Sequence, residues 1–122
     1  MGEVESGVPF ELKLAFLREL EKSYREAREH YELLLRHPEH HDALAAMTMF
    51  CHKLAGTSES VGFTVLGRLA SAGETVAAWV NQGVAVPRDQ ALRLFGDVLA
   101  GRTESLRDSR SRLIGRLRRA LV

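Results

Sequence analysis

Residues 44–63, LAAMTMFCHKLAGTSESVGF, decide how the rest of the chain is read. Leu44, Met47, Cys51, Leu54, Ser58 and Val61 step by three and four residues, with Phe50 alongside, which is the apolar stripe of a helix packed on one face. His52 follows Cys51 by one residue and therefore stands at the edge of that stripe, facing outward. Gly56 lies one turn beyond His52, and residues four apart sit one above the other on a helix. A glycine inside a helix costs roughly 1 kcal/mol against alanine, so its place beside an imidazole calls for a reason. Bare backbone there lets another backbone or a phosphoryl group come close. Lys53 adds a cation, Thr57, Ser58 and Ser60 make the segment's far end small and polar, and Gly62 breaks the run with a turn.

Working outward, the stretch from Pro9 to about Arg36 reads as a long first helix, with Pro9 at its first position. Its stripe is Phe10, Leu17, Leu20, Tyr24, Ala27, Tyr31 and Leu34, and a short separate helix breaking off near Leu14–Phe16 is an open alternative. Glu21–Arg25 and Arg25–Glu29 pair along the other faces. The helix ends at His37-Pro38, because the residue before proline avoids helical geometry. A second helix runs from about Glu39 to Ser58 or Ser60. A third runs from about Phe63 to Asn81, with Leu66, Leu69, Val76 and Val80 inward, and stops at Gly83. Pro87 opens a fourth, with Asp89 favourably in its first turn. Leu92, Phe95, Leu99, Leu106, Leu113 and Leu117 carry that stripe to the C-terminus, with a bend or fraying expected at Gly96, Gly101 and Gly115. Four stripes on short connections bury themselves against one another, so the expected fold is all-α, an antiparallel up-and-down four-helix bundle.

Length and composition agree with that class. The 122 residues fit one domain, 9–122, behind a loose polar N-terminus, 1–8, in which Gly2 and Ser6 match the myristoylation pattern of what reads instead as a frayed end. Apolar residues at 45% and charged residues at 27% are ordinary for a globular protein, and only three prolines, few β-branched runs and the dominance of Leu, Ala, Arg and Glu point to an all-α protein. The one cysteine, Cys51, allows no internal disulfide and points to a reducing, cytoplasmic setting. No apolar run reaches the roughly 20 residues of a membrane span. Net charge is +1 but uneven: residues 1–61 carry seven Lys/Arg against eleven Asp/Glu, while 62–122 carry ten against five. Seven of those arginines fall between Arg102 and Arg119, on an expected basic helix at about 102–122.

His52, Leu54, Gly56, Gly62 and Leu66, with S-V-G-F over 60–63, resemble the signature of histidine phosphotransfer (HPt) domains, whose usual form is H-x-[LI]-K-G-x-x-x-x-x-G-x-x-x-L. Ala55 departs from it, since the family carries lysine there. The resemblance implies a bacterial-type phosphorelay intermediate without kinase activity. His52 would be phosphorylated, on Nε2, by the aspartyl phosphate of a receiver domain and would pass the group to another receiver. Lys53, Gly56 and Glu74 would support the imidazole and the phosphoryl group. Ala55, Gly56 and Glu59 would meet the docking receiver, along the exposed faces of the first two helices. The implied partners are response-regulator receivers and a hybrid sensor histidine kinase. Mg²⁺ would belong to the receiver, leaving this chain with no cofactor or metal of its own, acting as a monomer without nucleic acid or membrane.

The chemistry fits an exposed histidine, because neutral imidazole, with an ordinary pKa of roughly 6.5, can offer a ring lone pair at neutral pH. Three rivals stand beside it: a domain phosphorylated directly by a kinase, like the P1 domain of chemotaxis kinases; a scaffold that binds receivers without transfer, motivated by Ala55; and a helical adaptor using Arg102–Arg119 on nucleic acid or an anionic surface. His37, His40 and His41 read as loop histidines, because no further Cys/His set lies at zinc spacing. No Ser/His/Asp or Cys/His catalytic pattern appears, and Cys51 points elsewhere on the helix than His52.

Overall fold

The computed structural model describes residues 9–102, Leu106 and 112–121. The expectations for 1–8, Gly2 and Ser6 included, and for most of 103–111 fall outside the described residues. Within them lie five helices: α1 Phe10–Arg36, α2 His41–Ser60, α3 Thr64–Asn81, α4 Arg88–Ala100 and α5 Arg112–Leu121. No strand occurs among the described residues.

The turns follow the expected punctuation. Pro9 and Pro87 stand just ahead of α1 and α4 as their N-caps. His40 caps α2, its ring Nδ1 accepting from the backbone N–H of Ala43 at 3.2 Å. That lone pair satisfies one of the first-turn N–H groups that a helix leaves without partners. Gly62 adopts φ +88°, a left-handed conformation that side chains resist, and Phe63 N–H donates back to Ser58 O at 2.8 Å. The α2–α3 corner is therefore tight.

Contacts fix the directions of packing. Phe16 stacks on Phe63 and Tyr24 meets Phe50, at centroid separations of 5.5 and 5.4 Å, so α1 and α2 run antiparallel. Cys51 faces Gly73 while Glu59 faces Gly67, so α2 and α3 also run antiparallel. Tyr24 Oη donates to Val98 O at 3.1 Å and ties α1 to α4. The pairings α1·α2, α2·α3, α3·α4 and α1·α4 close a ring around a core that includes Leu34, Met47, Cys51, Leu69, Val76, Phe95 and Val98, and the aliphatic face of α5 joins it through Leu113, Ile114 and Leu117.

The structure corrects three expectations. α1 is one unbroken helix, but Phe10 and Leu17 face solvent, Phe10 at 68% exposure, while Lys13 and Phe16 turn inward. The buried register runs Lys13, Phe16, Leu20, with the Lys13 ammonium 5.5 Å from the centre of the Phe63 ring. A lysine stem can cover apolar surface while its charge rests against an aromatic face. The fourth helix does not run to the C-terminus. It ends at Ala100, where Gly101 takes φ +66° and Arg102 N–H returns to Asp97 O at 2.8 Å, closing a left-handed cap. Finally, the inward face of α4 is Ala91, Leu94, Phe95 and Val98, with Leu92 and Leu99 on its flanks.

Candidate functional site

α2 packs Cys51, Leu54, Ala55 and Ser58 into the core, and its outer face therefore carries His52, Lys53, Gly56 and Glu59. The His52 side chain is 66% exposed. Its Nδ1 lies 2.8 Å from Oε2 of Glu74, on α3, whose side chain is 33% exposed. A carboxylate only accepts, so Nδ1–H is the donor, and the neutral ring keeps its lone pair on Nε2. One contact from the neighbouring helix thus fixes both the tautomer and the plane of an open imidazole.

That contact depends on a close approach of the two helices. A Cβ on Gly73, the residue before Glu74, would fall 2.8 Å from Cys51 Sγ and 3.1 Å from Val98 Cγ2. Gly73 therefore brings α3 against α2 at the level of His52. The sequence held a sign of this in the small residues Ala70, Ala72, Gly73 and Ala77 of α3, a pattern that periodicity of large apolar residues passes over. Gly56 is the opposite case: a Cβ there would meet nothing within 4 Å. The space one turn from His52 is open.

His52, Glu74, Gly56 and Glu59 thus gather along the α2–α3 side of the outer face. Lys53 diverges from them and lines a shallow apolar cleft between α1 and α2 with Phe16, Leu20, Phe50, Leu54 and Thr57. Ala55 is corrected: it is buried at 8% exposure, with its carbonyl near Gly67, so its side chain offers no docking surface and that part of the face reduces to Gly56 and Glu59. Thr57 and Ser60 direct their hydroxyls to the carbonyls of Lys53 and Gly56, four residues back, at 2.8 and 3.0 Å. Ser58 is buried with its hydroxyl unpartnered.

Cys51 sits behind the site. Burial pushes its thiol up to about 12, with the nearby Glu74 charge adding to the effect, so it stays a neutral thiol beneath the imidazole. No group of three or more His, Cys, Asp or Glu side chains able to hold a metal ion occurs among the described residues. No helix among them is long and apolar enough to cross a membrane. Set against known proteins, the chain matches no protein-family model, no curated protein and no solved structure.

Proposed function

We propose that this chain is a histidine phosphocarrier of the HPt kind, with α1–α4 as an up-and-down four-helix bundle and His52 as the residue that carries the phosphoryl group. The observation that carries the reading is the His52–Glu74 pair: an open ring on a rigid helix, held at Nδ1 by a carboxylate 2.8 Å away. In the proposed step, Nε2 of His52 attacks the phosphorus of a receiver's aspartyl phosphate. The N–P bond forms as the P–O bond to the aspartate breaks, and the aspartate leaves as a carboxylate. Nδ1–H stays on the ring, and the positive charge that develops on the imidazole faces the Glu74 carboxylate. Transfer of this kind depends on positioning and charge compensation more than on covalent chemistry by the protein, and the receiver would supply Mg²⁺.

Gly56 supports the reading because it leaves space for an approaching domain, and Glu59, exposed one turn further along α2, leans toward Gly67 of α3. Lys53, on the α1 side, would compensate charge at the other border of the docking face, where the usual lysine of the motif is replaced by the inward Ala55. Partners would be receiver domains and their sensor kinase, in the cytoplasm.

The test is phosphotransfer from labelled phospho-receivers of the same genome. The expected result is acid-labile label on the wild-type chain and none on His52→Ala. Labelling that survives in His52→Ala overturns the assignment. Labelling by a kinase alone, with receivers inert, would move the chain to the P1-like class.

A further inference from the structure

Away from His52, where the start of α2 meets the α3–α4 connection and α5, an open cleft is lined by Glu39, Ala85, Pro87, Arg88, Arg112 and Arg116. Three guanidinium groups face one carboxylate, so the lining has a charge of +2. Asp89, in the first turn of α4, is exposed and lies outside the lining.

Two of the arginines are held in place by the fold. Arg88 donates from one terminal nitrogen to Val86 O and from the other to Glu39 Oε1, each at 2.8 Å, while its Nε–H is buried without a partner. Arg116 donates to the carbonyl of Ala85 and lies over the Trp79 ring, 5.2 Å from its centre. Stapling the α3–α4 connection accounts for these two. It does not account for Arg112, which is exposed and makes no ion pair or side-chain hydrogen bond among the described residues. Nor does it account for the unbalanced charge. The same cleft holds the start of α4, whose N-cap, Pro87, makes no side-chain cap hydrogen bond, so the positive end of the helix adds to the guanidinium charge.

We propose that this cleft binds a phosphate-class dianion, bridging Arg88, Arg112 and Arg116 beside the start of α4. A charge of −2 matches the lining, and forked guanidinium donors suit tetrahedral oxyanions. Glu39 is then a tethered competitor: its side chain is 72% exposed and holds Arg88 by a single ion pair, so it can swing aside. Free orthophosphate and a small phosphate monoester share this chemistry.

The test titrates the full-length ¹⁵N-labelled chain with sodium phosphate, and separately with methyl phosphate, at constant ionic strength, against sodium chloride as control. The readouts are the arginine side-chain resonances and the first-turn amides of α4. Expected are saturable shifts that chloride does not produce. Arg112→Gln should weaken binding about tenfold, Arg112→Lys by less, and Glu39→Gln should tighten it about threefold, all with native spectra. Saturation by both anions assigns the cleft to monoesters as well as to the free ion; saturation by orthophosphate alone assigns it to the ion. Shifts that stay linear, match those of chloride, or saturate equally in Arg112→Gln overturn the proposal.

Discussion

A histidine on a helix surface is ordinarily free to rotate and to hold its proton on either ring nitrogen. At His52 the 2.8 Å contact with Glu74 removes both freedoms. Glu74→Ala is therefore expected to mix the tautomers, visible in long-range ¹H–¹⁵N correlations of the ring, and, under the proposed function, to slow phosphorylation of His52 about tenfold. Glu74→Gln, which can still accept through its amide oxygen, should restore the tautomer but not the full rate. Equal tautomer ratios in wild type and Glu74→Ala would remove Glu74 from the account. Beneath this pair, Cys51 makes a separate prediction. Its thiol is raised by burial from 9.0 to about 12, so the folded state holds a proton that the unfolded state releases. The resulting stability is fully present below pH 9 and is lost as pH rises toward 12, at roughly 1.4 kcal/mol per pH unit. Tyr24 and Tyr31, also raised by burial, act in the same direction at higher pH. Urea denaturation at pH 8 and pH 10 should show the loss, and Cys51→Ala should reduce it.

Among the helices, two glycines that look alike in sequence have opposite jobs. Gly73→Ala forces a methyl group to 2.8 Å from Cys51 Sγ. Overpacking of that kind costs about 1–3 kcal/mol, against a helix-propensity gain of about 1, so the variant should be less stable and its His52–Glu74 contact longer. Gly56→Ala meets nothing within 4 Å, so only the propensity gain applies and the helix should be stabilised by about 0.5–1 kcal/mol. Under the proposed function the same methyl intrudes on a docking receiver, and transfer should slow while stability rises. Denaturation midpoints and transfer rates, measured together, check both signs. The open space at Gly56 is legible from its place one turn after His52, whereas the close packing at Gly73 is not, because it depends on what stands opposite on another helix.

Over the whole molecule, the readable parts of the chain were those with hard stops. Pro9, His37-Pro38, Gly62 and Gly83 bound helices within a residue or two of where they end. At the α4–α5 break the sequence offers a bend or fraying at Gly101 but not a full stop, because leucines at positions 92, 99, 106 and 113 hold a strict seven-residue spacing across it. Spacing alone carries no notice that Gly101 turns left-handed and ends the helix. In α1 only the opening turns differ: the expected stripe from Leu20 through Leu34 lies inward, whereas ahead of it Phe10 and Leu17 face solvent and Lys13 and Phe16 pack on Phe63 at the next corner. At the site, the position of His52 followed from its own helix, whereas its pairing with Glu74 required a second helix at a set distance. The C-terminal piece also contributes at this scale. α5 buries Leu113, Ile114 and Leu117, and Leu113 N–H donates to Gln90 Oε1 at 2.9 Å. Ending the chain after residue 111 should cost about 5 kcal/mol, a large share of the roughly 5–15 typical of a domain, and lower the thermal midpoint sharply. Last, α1 has 27 residues and α4 only 13, a difference of about 20 Å in length. Tyr24 reaches Val98 close to the end of α4, so the opening turns of α1 extend past that neighbour and lean on the Phe63 corner through Lys13 and Phe16, and deuterium should enter the amides of Leu12–Ala15 well before those of Ala27–Leu34.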